Sequence, residues 1–86
     1  MKAILVDDEP DGIRTLKKLL ERHCPQVEIV ATCTNAVSAK QEIETLKPDV
    51  VFLDIQMPGQ SGLEMMAGLS LKNVEIVFLF MTLLSI

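Results

Sequence analysis

The stretch that decides the fold of this chain is Val50-Val51-Phe52-Leu53-Asp54-Ile55-Gln56-Met57-Pro58-Gly59. It opens with four apolar residues, two of them β-branched, which is typical of a strand buried on both faces of a sheet. Asp54 stands where this strand must end, because the Pro-Gly pair soon turns the chain away. Ligands of open α/β sheets bind at the carboxyl ends of the strands. The stretch therefore predicts a chemical role for Asp54.

The first predicted strand ends in the same way. Residues 3–6 are apolar, and Asp7 and Asp8 follow directly. If the two strands are parallel neighbours, these carboxylates and that of Asp54 meet at one edge of the sheet, where they repel one another. A hard cation relieves the repulsion, and Mg²⁺ is typically held by one or two carboxylates plus a phosphate. The sequence thus predicts a magnesium site, and the alternative is three solvated aspartates without a ligand.

Length and composition limit the possible functions. The chain has 86 residues, which allows one domain at most, and a net charge of −4 with no basic cluster, which argues against nucleic-acid binding. Cys24 and Cys33 form no CxxC motif and predict reduced thiols in the cytoplasm. The N-terminus shows no signal peptide. The apolar segment from residue 74 to 86 is shorter than the roughly 20 residues of a membrane span.

Apolar periodicity predicts alternating strands and helices. The first helix begins at Pro10 or Asp11 and is closed by Pro25, and its apolar stripe includes Leu19. A second helix follows an N-cap at Thr34 or Asn35. The remaining elements are an edge strand at residues 27–31, a third helix at about 62–71 and a fourth strand at 74–80. Such alternation is typical of right-handed βαβ units on a parallel sheet.

Three motifs in this order resemble the receiver domain of bacterial two-component response regulators. They are Val6-Asp7-Asp8-Glu9, Leu53-Asp54-Ile55-Gln56-Met57-Pro58-Gly59 and Ser61-Gly62-Leu63-Glu64. The likeness extends from Met1 to about Phe80. The sequence Asp-Ile-Gln-Met-Pro-Gly at residues 54–59 is most similar to that of receivers that precede a LytTR-type DNA-binding domain.

The resemblance implies a flavodoxin-like α/β fold with a doubly wound parallel sheet. It also implies that Asp54 accepts a phosphoryl group from the phosphohistidine of a sensor histidine kinase. Asp8 would then bind Mg²⁺ directly and Asp7 through water. Asp54 would contribute a carboxylate oxygen, and Gln56 its backbone carbonyl. Receivers of this family are phosphoacceptors that promote their own phosphorylation and dephosphorylation, so the resemblance implies no ordinary enzyme.

The end of the chain departs from the family pattern. Four strands and three helices are expected, so that the fourth helix, the fifth strand and the fifth helix are missing. The lysine that follows the fifth strand is therefore missing too, and Thr82 is only a doubtful substitute for the switch hydroxyl expected near Phe80. We expect a truncated receiver at residues 1–80, an atypical apolar tail at 81–86, and impaired phosphorylation.

Two other functions compete with a signalling role. Without a fifth strand, the fourth strand becomes an exposed apolar edge, which predicts self-association through the segment from Val74 to Ile86. A haloacid-dehalogenase-type phosphatase would also use a strand-end aspartate, but it requires Asp-x-Asp after the first strand, and Asp7-Asp8-Glu9 lacks that pattern. Nothing around His23 supports a phosphoaccepting histidine, so a structural role is expected for it.

Overall fold

The structure, a computed structural model, describes residues 1–54 and the backbone of residues 75–79. The elements in chain order are β1 (Lys2–Val6), α1 (Pro10–His23), β2 (Glu28–Cys33), α2 (Ala36–Leu46), β3 (Val50–Asp54) and β4 (Glu75–Leu79). The predicted helix at 62–71, the loop containing Gln56 and the segment containing Thr82 lie outside the described residues.

The four strands form one sheet in the order β2-β1-β3-β4, and every neighbouring pair is parallel. In the central pair, Val6 lies opposite Leu53. The predictions that β1 and β3 are parallel neighbours and that β2 lies at an edge are therefore confirmed. Because the strands are parallel, all of their carboxyl ends lie along one edge of the sheet, which is where Asp7 and Asp54 are found.

The core lies on both faces of β1 and β3. On one face, Ile4 and Val6 pack with Val51 and Leu53 beneath Ala39 and Ile43 of α2. Side chains alternate along a strand, so Ala3 and Leu5 point to the other face, and they are buried as well. This burial on two faces explains why the sequence of both strands is an unbroken apolar run.

Helix α1 begins and ends where the sequence predicts but buries less than expected. Its last residue is His23, followed by a C-cap at Cys24. Leu20 is buried, but Leu19 is 40% exposed. Adjacent helical residues point about 100° apart, so only one of the two leucines can face the sheet directly. The expectation that both belong to the buried stripe is wrong for Leu19.

Helix α2 starts at the N-cap that the sequence offered as one of two choices. The Asn35 Oδ1 accepts a hydrogen bond from the Ser38 N–H at 2.8 Å, which satisfies one of the free donors of the first turn. The helix ends at Leu46, and its C-cap Lys47 has a left-handed φ of 48°. Pro48 follows and is buried, so the chain leaves the helix sharply and enters β3 two residues later.

Strand β2 is longer than predicted and contains a bulge. It extends to Cys33, two residues past the predicted end. Ala3 of β1 lies opposite Ile29, whereas Ile4 lies opposite Ala31, so Val30 is an extra residue in the register. The bulge places Val30 and Ala31 together against the core cluster under α2.

Asp49 ties the start of β1 to the start of β3. Its carboxylate accepts the Lys2 N–H at 2.7 Å, and its own N–H donates to the Lys2 carbonyl at 2.8 Å. We expect Asp49→Ala to lower the free energy of unfolding by about 1 kcal/mol, because the side chain is exposed and one hydrogen bond is lost. Urea unfolding measures the change. Asp49→Asn keeps an acceptor oxygen and should lose less than half as much, and equal losses would contradict this role.

Candidate metal and phosphoacceptor site

Asp7 is held in place by backbone contacts from two elements. Its N–H donates to the carbonyl of Cys33 at 3.0 Å, so the end of β2 anchors the residue that follows β1. Its Oδ1 accepts the N–H of Glu9, the N-cap residue of α1, at 2.9 Å. Asp7 is only 5% exposed. The extra length of β2 thus has a direct effect on the site, because the strand must reach Cys33 to make this contact.

Asp54 and Asp8 complete a cluster of three carboxylates. Asp54 is the last residue of β3 and is 7% exposed, whereas Asp8 is half-buried in the loop before α1. One carboxylate oxygen from each of Asp7, Asp8 and Asp54 lies within 4.8 Å of the other two. The structure therefore brings together the three aspartates that the sequence predicted would meet.

The pKa of Asp7 reflects the burial and the negative charge of the cluster. That pKa is raised from 3.8 to about 6. Burial is the main cause, because it penalises the charged form, and the hydrogen bond from the Glu9 N–H partly opposes it. The negative charge of Asp54 and side-chain hydrogen bonds with Asp54 and Asp8 raise the pKa further. The cluster is thus short of positive charge.

The donor set fits a hard divalent cation. Within the described part of the chain, the cluster consists of carboxylate oxygens, which Mg²⁺ prefers. Opposite ligands of Mg²⁺ are about 4.2 Å apart, twice the Mg–O distance of about 2.1 Å, and the 4.8 Å envelope is close to that spacing. The observed geometry suits direct contacts from some of these oxygens and water-mediated contacts from others.

Three residues around the cluster were not identified from the sequence. The Cys33 carbonyl and the Glu9 N–H act through backbone atoms, for which the sequence has no signal. Gly12 lies beside the Asp7 carboxyl, where a Cβ would come within 2.9 Å of Cγ. A glycine inside a helical pattern is less stable than alanine, and this cost was the one available clue to a special role for Gly12. Gln56 and Thr82 lie outside the described residues, and their proposed roles stay predictions.

Residues 3–85 match the family model of the response regulator receiver domain. This chain belongs to that family. The expectation drawn from the three motifs is confirmed, and so is the flavodoxin-like parallel fold. The finer assignment to receivers that precede a LytTR-type domain stays a prediction, as does the boundary between residues 1–80 and 81–86.

The curated relatives include transcriptional regulators. The transcriptional regulatory protein BtsR of Salmonella typhimurium is 48% identical over 80 residues, covering 92% of this chain and 33% of that protein. The DNA-binding transcriptional activator EvgA of Escherichia coli is 41% identical over 69 residues, covering 80% of this chain and 33% of that protein. The receiver chain described here thus spans about a third of the length of these relatives.

Solved structures share the receiver fold. The receiver domain of a NarL response regulator from Mycobacterium tuberculosis gives a TM-score of 0.80 at 23% identity, covering 90% of this chain and 63% of that one. A LuxR-family DNA-binding response regulator from Staphylococcus aureus gives 0.78 at 33% identity, covering 90% and 65%. Neither described helix of this receiver is long and apolar enough to span a membrane.

Proposed function

We propose that this receiver is a Mg²⁺-dependent phosphoacceptor of two-component signalling, and that a sensor histidine kinase in the cytoplasm is its phosphodonor. The observation that supports the proposal is the position of Asp54. Asp54 is the last residue of β3 and is buried. One of its carboxylate oxygens lies within 4.8 Å of a carboxylate oxygen of Asp7 and of Asp8. Because the chain belongs to the receiver family, a phosphoacceptor and metal-binding role is the one that best suits this cluster.

The proposed reaction is transfer of one phosphoryl group to Asp54. A carboxylate oxygen of Asp54 attacks phosphorus while the P–N bond to the kinase histidine breaks, and the electron pair of that bond returns to the imidazole nitrogen. The imidazole takes up one proton from solvent as it leaves, so that the products are an acyl phosphate on Asp54 and a neutral imidazole. Bound Mg²⁺ would neutralise charge on the phosphoryl oxygens. Asp8 is the proposed direct ligand and Asp7 the water-mediated one, and a carboxylate oxygen of Asp54 and the Gln56 carbonyl complete the proposed protein ligands.

The surroundings of Asp54 explain why a cation is needed. Burial removes water from the Asp54 carboxylate and makes electrostatic interactions stronger than they would be at the surface. The carboxylates of Asp7 and Asp8 repel an incoming phosphoryl group, which is itself negatively charged. We therefore infer that the chain presents a nucleophile whose reaction requires a divalent cation, and that chelation of the cation stops it.

Labelling with acetyl phosphate tests the proposal. In the presence of Mg²⁺ we expect slow labelling, consistent with the impaired phosphorylation expected from the sequence, to at most one phosphate per chain. The phosphate should be bound as an acyl phosphate that hydroxylamine releases, and no label is expected when EDTA is added. Absence of label at saturating Mg²⁺ and acetyl phosphate would contradict the proposal. Repeated turnover of a phosphate monoester would instead favour the phosphatase alternative.

A second proposal concerns assembly. Among the described strands, β4 is the outermost on its side of the sheet, and its sequence, Glu75–Leu79, is apolar after the first residue. An open, apolar strand edge is a template for pairing with another chain. We therefore also propose that two copies associate through β4, with the flanking residues from 74 to 86 contributing to the contact.

Light scattering tests this association. We expect a dimer or a larger species at micromolar concentration, and Val77→Lys in β4 should shift it towards monomer, because a charge on an edge strand opposes pairing. Thr32→Lys at the other edge, in β2, is the matched control and should leave the mass unchanged. A folded wild-type monomer at micromolar concentration would rule the association out. Contact with DNA is not proposed for this acidic chain.

A further inference from the structure

Gly12 stands in the first turn of α1, where its backbone does not require glycine. It lies within the helix, and its N–H donates to the Glu9 carbonyl at 3.0 Å. Its φ is outside the left-handed range, so an alanine could adopt the same backbone. Helix propensity also favours alanine over glycine. If the backbone were the only consideration, replacement with alanine would stabilise the chain.

The space that a side chain at position 12 would occupy holds the Asp7 carboxyl. A Cβ at this position would lie 2.9 Å from Cγ of Asp7 and closer still to Oδ2. The carboxyl has little freedom to move away, because Asp7 is buried and its Oδ1 already accepts the Glu9 N–H. A methyl group on residue 12 and the observed position of this carboxyl are therefore incompatible.

We propose that Gly12 is a positioning residue for the divalent cation, a role that depends on the proposed phosphoacceptor function. Because Gly12 has no side chain, the Asp7 carboxyl can occupy the position that a Cβ would fill. In that position one of its oxygens lies within 4.8 Å of a carboxylate oxygen of Asp8 and of Asp54. Gly12→Ala displaces that carboxyl and breaks its hydrogen bond with the Glu9 N–H. The distances from the Asp7 oxygen to the carboxylate oxygens of Asp8 and Asp54 then increase. Binding of Mg²⁺ is weakened because the ligand set is less well prepared.

Calorimetric titration with Mg²⁺ tests the effect on binding. Gly12→Ala is expected to raise the Kd for Mg²⁺ threefold or more. Thr15→Ala, one turn further along the same helix, changes helix propensity away from Asp7 and should leave the Kd unchanged. A Kd for Gly12→Ala equal to that of the wild type overturns the proposal. If the wild type itself binds no Mg²⁺, the phosphoacceptor function fails instead.

A thermal-denaturation cycle without Mg²⁺ tests the contact independently of the function. With Asp7→Ala as the background, Gly12→Ala should raise Tm by several degrees, because no carboxyl opposes the new methyl group. With Asp7 present, the same change should raise Tm by clearly less, or lower it. Equal shifts in the two backgrounds would show that residues 12 and 7 are not coupled, and would overturn the proposal whatever the Mg²⁺ titration gives.

Discussion

Asp54→Asn is expected to abolish phosphorylation of this receiver completely. The amide has no carboxylate oxygen to attack phosphorus, and the change also removes one of the three oxygen donors of the cluster. Labelling with acetyl phosphate and Mg²⁺ should therefore fall to background. The substitution is nearly isosteric and keeps a polar group at the end of β3, so we expect the fold to be preserved, which circular dichroism would verify.

The matched control is Asp11→Asn. Asp11 also carries a carboxylate near the amino end of α1, but it is exposed and pairs with Arg14 at 2.9 Å. Both variants remove one negative charge from the chain, and only one of them removes the proposed nucleophile. We expect Asp11→Asn to be labelled like the wild type. Labelling of Asp54→Asn at the wild-type level would show that the phosphoryl group is attached elsewhere.

Magnesium is expected to stabilise the receiver markedly more near pH 7.5 than near pH 5. A ligand present at about 100 times its Kd stabilises the folded state by roughly 2.7 kcal/mol. For a chain of this size, that corresponds to a rise in Tm of roughly ten degrees or more. At pH 5 the raised pKa of Asp7, about 6, keeps the Asp7 carboxyl largely protonated, so that protons compete with the cation. Thermal denaturation with and without Mg²⁺ at the two pH values measures this difference.

The same pKa predicts the pH dependence of stability without the cation. The pKa of Asp7 is about 6 in the folded chain against an ordinary value of 3.8, so between these values the folded state binds more protons than the unfolded state. The contribution of Asp7 to the free energy of unfolding is therefore most favourable below 3.8 and declines as the pH rises through about 6. Mg²⁺ should offset this decline above pH 6.

Asp7→Asn is the control for both pH effects. The amide does not titrate, so the loss of stability between about pH 4 and 6 should become smaller in this variant. The dependence of the Mg²⁺ effect on pH should shrink with it. If Mg²⁺ raised the wild-type Tm by the same amount at pH 5 and pH 7.5, Asp7 could not be part of the cation site.

Much of this site could be predicted because its carboxylates follow buried strands. The apolar runs of β1 and β3 have no solvated face, so the strands had to be central, and parallel neighbours place Asp7 and Asp54 at a common edge. The N-cap of α2 could be limited to Thr34 or Asn35, since both residue types satisfy free helix donors, and the structure shows that Asn35 is the cap. These features depend on local chemistry, which the sequence contains.

The remaining features depend on contacts between distant segments. The apolar alternation that predicts β2 stops at Ala31, yet the strand extends to Cys33 because β1 continues to offer backbone partners up to Val6. The bulge at Val30 arises in the same way from packing under α2. The close approach of Gly12 to the Asp7 carboxyl could not be predicted either, because it depends on where α1 lies relative to the end of β1.

The irregularity at Val30 has a consequence for the size of any assembly. An extra residue twists the outer border of β2 and spoils the regular ladder of donors and acceptors that an incoming chain would need. This irregularity opposes strand addition at β2, so the association proposed above is expected to use the β4 edge alone. Two copies that associate through β4 in the proposed way would each occupy the other's β4 edge, which favours a closed pair over a filament among the possible assemblies.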